Sequence, residues 1–217
     1  MARNQIIRWL DGRGWLILSG GGGTDTPLRA QALGRMDADG GVACISFAQS
    51  PDASERVLAD LEDLGAPSGY IVDVMTEDDQ TLISRLAEAG MIVVEGGASA
   101  VDVRAALLGA AVEGIRSAYM NGAVVLAEGV SATAFGAWVP AADGILDGLA
   151  WLEAALVVSG AAGQGESRLI RSVLAGHPEG IAIGVGAGSA LALGPDGQVE
   201  AWGQAEVAIT LGARYHG

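Results

Sequence analysis

The residues best placed for chemistry lie in the segment GAVVLAEGVSATAFG, residues 122–136. Its apolar run, 123–127, has the length of a buried parallel strand, and Gly129 permits a sharp turn directly behind it. Such a turn lifts a side chain above the carboxyl edge of a parallel sheet, where open α/β proteins bind ligands. We therefore predict Ser131 as a candidate nucleophile, with the backbone N–H of Ala132 facing the same space.

Two glycine clusters follow other apolar strands and are expected at the same edge. A glycine pair such as Gly96 and Gly97 can turn a backbone N–H toward Ser131 and supply half of an oxyanion hole. The loop that contains Gly21 and Gly22 follows the first strand. We expect this loop and Gly97 to line one binding pocket around the serine.

A nucleophilic serine also needs a base, and the sequence offers few. All 12 basic residues are arginine, which excludes Ser-Lys dyads, Schiff-base lysines and phosphate-loop lysines. Of the two histidines, His216 is penultimate and is expected to be frayed. His177 is the remaining candidate base. Glu128, next to the turn, is expected to point away from the Ser131 pocket.

Charge and composition exclude several function classes. A net charge of −14 opposes binding to nucleic acid and to anionic membranes. The glycine loops miss the dinucleotide fingerprint at its last position, and the acidic run 77–79 is typical of a helix start, so we expect no cofactor and no metal. No secretory signal or membrane-spanning run is seen, and Cys44 fits a buried small apolar residue. These features favour a cytoplasmic protein.

The elements that must position these residues alternate along the chain. Apolar strands are predicted at 14–19, 42–47, 70–74, 91–95 and 123–127, with helices at 51–64, 76–89, 99–120 and 166–174 between or after them. Further strands are predicted at 181–185, 190–193, 199–202 and 206–211. This order predicts one α/β domain over residues 1–217, a three-layer α/β/α sandwich with a mostly parallel sheet and a C-terminal antiparallel extension.

The order of these elements and several short motifs resemble cyanophycinase and the aspartyl dipeptidase peptidase E. The motifs are GWLILSGGG, the glycine pair after MIVVE, GVSATA, and the terminal run GIAIGVGAGSALALGPDGQVEAWGQAEVAI. The resemblance covers roughly residues 14–210. It implies a class I glutamine amidotransferase-like (flavodoxin-like) fold and serine peptidase activity. Because the elbow of these enzymes is Gly-Thr-Ser-Ala-Gly, it also implies that Ser131 is the nucleophile, with Thr133 replacing the second glycine.

The other family motifs have lost their reactive side chains. The Gly-Gly-Asp-Gln motif is replaced by residues 96–99, GGAS, and the Gly-Ile-Asp-Glu motif by residues 184–187, GVGA. The catalytic histidine of the family falls on Ser159 or Gly160. The resemblance therefore implies a peptidase relative without the family's base and acids.

Two functions remain open from the sequence. The first is a catalytically impaired protein that binds a small peptide or another small ligand, or serves assembly. The second is a serine peptidase or acyl hydrolase that uses Ser131 with an unusual base such as His177. Since only 18% of residues are charged and 50% are hydrophobic, we also expect a symmetric homodimer.

Overall fold

The computed structural model describes residues 6–22, 26–36, 40–47, 51–160, 164–204 and 206–216. The strands are β1 (Trp15–Ser19), β2 (Val42–Ser46), β3 (Gly69–Asp73), β4 (Met91–Val94), β5 (Val124–Glu128), β6 (Trp138–Ala141), β7 (Gly144–Asp147), β8 (Ala155–Ser159), β9 (Ile181–Val185), β10 (Ser189–Leu193), β11 (Val199–Gly203) and β12 (Val207–Leu211). The helices are α1 (Thr26–Leu33), α2 (Pro51–Asp63), α3 (Asp79–Ala87), α4 (Ala100–Leu107), α5 (Ala110–Met120), α6 (Val130–Ala134) and α7 (Gln164–Gly176).

The larger sheet contains seven strands in the order β11-β10-β1-β5-β4-β2-β3. Its five predicted N-terminal strands are parallel neighbours, while β10 and β11 continue the sheet in antiparallel pairing. The parallel α/β arrangement and its antiparallel extension are therefore confirmed. Because all parallel strands end at one edge, the loops after β1, β4 and β5 meet there.

Alternate residues of the central strands face two different cores. Ile17 and Leu126 pack with α1 and α2, whereas Leu18 and Val125 pack with α3, α4 and α5. A sheet that is apolar on both faces must be covered on both, which explains the unbroken apolar runs in the sequence. Cys44 lies in the first of these cores and is 1% exposed, as predicted.

The C-terminal half contains a second sheet, which the sequence analysis did not predict. Its five strands follow the order β12-β9-β8-β6-β7. The segments 181–185 and 206–211, predicted as parts of one extension, lie in this second sheet and pair with each other. Its inner face shares the core of α3–α5, and α7 covers the outer face. No helix in the described ranges is long and apolar enough to cross a membrane.

Candidate functional site

The chain turns sharply from β5 into α6 at Gly129. This glycine has φ 59° and ψ −128°, a backbone conformation that is strained for any residue with a side chain. Its N–H donates to the carbonyl of Ser19 at 3.0 Å, and its Cα lies close to Gly21. In a nucleophile elbow, the nucleophile is the residue on the strained strand-to-helix turn. In this chain that position is occupied by Gly129, which has no side chain.

Ser131 is found two residues further on, inside helix α6. It is fully buried, and its hydroxyl donates to the carbonyl oxygen of Gly96 at 2.9 Å. The prediction that Ser131 stands on the turn with its side chain facing a pocket is wrong, because the helix begins at Val130 and carries the serine into the interior. The hydroxyl instead ties α6 to the loop after β4.

The predicted oxyanion donors are placed differently from one another. The N–H of Ala132 donates to the carbonyl of Gly129 at 3.1 Å, so this group is already paired. Gly96 and Gly97 both have positive φ and line a cavity at the carboxyl edge. Gly21 and Gly22 line the same cavity, but Ser131, around which this pocket was predicted, is not among the described residues that line it; Gly23 lies outside the described residues.

His177 is not brought to Ser131. Its ring stacks on Trp138, with ring centroids 4.2 Å apart. It lies just before β9, at the amino end of two parallel strands, β8 and β9. Ser159, in contrast, ends β8 and lines a groove beside the Gly129 turn. The second histidine, His216, is exposed near the C-terminus.

The groove beside the turn, which we call the elbow groove, has a volume of about 530 Å³. It lies between Gly129 and the end of β8, where the family resemblance placed the catalytic histidine. The described side chains that give it polarity are those of Ser99, Thr133 and Ser159. None of these titrates near neutral pH, so this lining offers hydroxyl groups but no base.

Ionisable side chains collect on the other side of the turn, in the charged cavity, also about 530 Å³. Its polar lining comprises Thr26, Arg29, Arg56, Glu95 and Glu128, together with the backbone of Gly21, Gly22, Gly96, Gly97 and Gly129. The register pairs the last residue of β4 with the one before Glu128, so the two glutamates occupy neighbouring strand ends. Glu128 lines this cavity together with Gly97, Gly21 and Gly22, so the prediction that it points away from the pocket formed by these glycines is wrong.

Arg29 neutralises this edge by pairing with two carboxylates. Its Nε and Nη2 donate to both oxygens of Glu128, at 2.9 and 2.6 Å, and Nη1 donates to Asp60 at 2.9 Å. Burial by itself would lower the pKa of Arg29, but the hydrogen bonds and charges of Glu128 and then Asp60 outweigh it and raise that pKa. The Glu128 side chain is only 2% exposed, so this is a buried, bidentate ion pair.

Glu95, the neighbour of Glu128 just after β4, differs from it in its hydrogen bonding. Its Oε2 atom is buried and accepts no hydrogen bond from any group in the described part of the chain. Glu95 also lines a third space, the apolar cavity of about 680 Å³, whose apolar lining includes Phe47, Met75, Ala105 and Ala106. Glu95 therefore stands at the junction of the charged and apolar cavities. No cluster of three or more candidate metal ligands occurs among the described residues.

Two solved structures of other proteins have a similar architecture. The chain superposes on a peptidase from an acI-B1 Actinobacterium with a TM-score of 0.71 and 17% identity, over 94% of this chain and 93% of that one. It superposes on a protein from Listeria monocytogenes EGD-e, assigned as a peptidase E, with a TM-score of 0.67 and 15% identity, over 88% and 99%. This chain has a peptidase E-like fold. No protein-family model and no curated protein sequence matches it.

The sequence analysis did not identify three ionisable residues of the charged cavity as site residues. Arg29 lies on a helix that was not predicted, and Glu95 and Glu128 were seen only as strand ends. A signal was present, because Glu95 follows β4 and Glu128 ends β5, at the edge where open α/β proteins bind ligands. Their pairing with Arg29 was not visible, since 99 residues separate Arg29 from Glu128.

Proposed function

We propose that this protein binds a small polar ligand, such as a short peptide, in the charged cavity of a peptidase E-like fold, and does not hydrolyse it through a serine. The observation that carries the proposal is Gly129 on the strained turn, with the hydroxyl of Ser131 buried against Gly96. Loss of a triad nucleophile or base costs on the order of 10⁶ in kcat. Binding needs neither group.

The charged cavity supports a binding role. Arg29 and Glu128 hold each other in fixed orientations, and the glycine loops bring backbone groups close to the cavity without side chains in between. Fixed polar groups in a concave site at the carboxyl edge are typical of small-molecule binding sites. The overall negative charge of the chain favours ligands that carry a positive group.

The alternative is a serine hydrolase that uses Ser131 and His177. It requires the serine hydroxyl to leave the carbonyl of Gly96 and His177 to leave its stack on Trp138. It further requires the two residues to meet, although they belong to different regions of the fold. The paired hydroxyl and the stacked ring both weigh against it.

A fluorophosphonate probe separates the two functions. Such probes label an activated serine, and intact-mass spectrometry counts the adducts. We expect no stoichiometric labelling of the wild-type protein, and no change in Ser131→Ala or His177→Ala. Rapid labelling of Ser131 that is lost in His177→Ala would overturn the proposal and establish an unusual dyad.

Ligand binding is tested with a panel of dipeptides that differ in charge. The protein is incubated with each, binding is followed by thermal shift, and the peptide is examined for cleavage by mass spectrometry. Stabilisation by at least one dipeptide without cleavage is the expected result. Cleavage that survives in Gly129→Ala but not in Ser131→Ala would contradict it.

A further inference from the structure

Glu95 carries a buried oxygen whose hydrogen bond is not supplied by the described chain. Buried carboxylate oxygens are almost always paired, because an unpaired one forfeits its interactions with water without replacement. The Oε2 of Glu95 is such an exception. It lies in the lining of the cavity where we propose that a ligand binds. A ligand that donates an N–H to this oxygen would supply the missing hydrogen bond.

The other groups of the charged cavity indicate which donor is needed. Arg29 and Glu128 satisfy each other through two hydrogen bonds, and Asp60 takes a third bond from Arg29. Each of these three groups therefore already has a partner of opposite charge. The buried carboxylate oxygen of this cavity that lacks a hydrogen bond in the described part of the chain is Oε2 of Glu95. A cationic nitrogen forms a stronger hydrogen bond with a carboxylate than a neutral donor does.

The second cavity indicates what is attached to that nitrogen. Besides Glu95, the apolar cavity is lined by Phe47, Met75, Ala105 and Ala106. Met75 is 58% exposed, which is unusual for a large apolar side chain and leaves its thioether open to a ligand. The volume of about 680 Å³ accommodates a hydrocarbon chain or ring.

From this juxtaposition we propose that the ligand is a primary amine with an apolar substituent. Its ammonium group donates to Oε2 of Glu95, and its hydrocarbon part lies in the apolar cavity against Phe47 and Met75. The inference rests on the proposed binding function and names the chemical class of the ligand. No covalent step is involved.

The test is isothermal titration calorimetry of the 217-residue chain with n-hexylamine, using n-hexanol as the uncharged match. Glu95→Gln removes the charge at the junction. Glu153→Gln is the matched control, because it makes the same chemical change at a side chain that is 67% exposed and lines neither cavity. We expect hexylamine to bind at least tenfold tighter than hexanol, a preference lost in Glu95→Gln and kept in Glu153→Gln.

A series from n-butylamine to n-octylamine tests the apolar part. Each methylene that becomes buried should improve the affinity about fourfold. Glu95→Gln should also leave the ligand-free protein as stable as wild type, which separates lost binding from lost folding. Equal affinities for amine and alcohol, or equal losses in both variants, would overturn the inference. So would failure of hexylamine to bind while a dipeptide binds, a result that leaves the proposed function intact.

Discussion

The buried pair of Arg29 and Glu128 gives the sharpest test of the site's electrostatics, through Glu128→Gln. The substitution keeps the shape of the side chain but removes the charge that faces Arg29. Breaking a buried ion pair from one side costs about 3–5 kcal/mol. Arg29 keeps its bond to Asp60, and its side chain is 14% exposed, so we expect the lower end, about 3 kcal/mol.

The assay is urea unfolding followed by tryptophan fluorescence, together with thermal unfolding. For a chain of this size, about 3 kcal/mol corresponds to a fall in Tm of about 6–12 °C. The control is Glu153→Gln, the same chemical change in an exposed pair. Glu153 lies 3.9 Å from Arg8, and their side chains are 67% and 56% exposed, so we expect a loss below about 1 kcal/mol.

A double-mutant cycle isolates the interaction itself. Combining Arg29→Met with Glu128→Gln should cost less than the sum of the single changes, with a coupling of at least about 1 kcal/mol. The coupling should persist in 1 M salt, because screening acts weakly on buried pairs. A loss for Glu128→Gln no larger than for Glu153→Gln would refute the claim that this pair holds the cavity wall.

Three further predictions concern burial, the glycine turn and assembly. Burial raises the pKa of the Cys44 thiol from 9.0 to about 12 in the folded chain. The thiol therefore ionises first in the unfolded chain, and the free energy of unfolding falls by up to about 4 kcal/mol as the pH rises from 9.0 to about 12. Cys44→Ala should flatten that part of the stability profile in urea unfolding, and an unchanged slope would contradict the assignment. Gly21→Ala should lower the free energy of unfolding by at least about 1 kcal/mol more than Gly188→Ala. Both glycines have φ near 70°, but only a Cβ at position 21 would meet the Gly129 backbone, at 2.9 Å. Equal urea midpoints for the two variants would argue against this contact. Light scattering should give twice the chain mass of 21.8 kDa, because apolar side chains such as Leu211 are exposed, and the monomer mass at micromolar concentrations would exclude the dimer.

Local pattern was sufficient to predict most of the larger sheet. Five apolar runs, each four or five residues long in the structure, could be buried only as parallel strands covered on both faces, and their carboxyl ends therefore share one edge. The same logic placed Gly21, Gly22, Gly96 and Gly97 around a cavity. The second sheet was missed because three of its strands, β6, β7 and β8, were not predicted. Of these, β6 contains Pro140 and is only four residues long, which weakens its pattern.

The register of the turn could not be read from residue types alone. In the sequence GVSATA, both Gly129 and Ser131 are compatible with a position near the turn. The structure bends at Gly129, where only the absence of a side chain makes φ 59° inexpensive, and the helix then buries Ser131. The two-residue difference converts a candidate nucleophile into an internal hydrogen-bond donor.

The charged cavity was decided by tertiary structure. Arg29, Glu95 and Glu128 come from three separate segments, and nothing in their local sequence links them. The strand order β1-β5-β4 sets Glu95 and Glu128 side by side, and packing of α1 brings Arg29 within hydrogen-bond distance of Glu128. The sequence determined which strand ends share one edge of the sheet, because strands that alternate with helices run parallel to one another. Which charges meet there depends on strand order and helix packing, which are long-range properties of the folded chain.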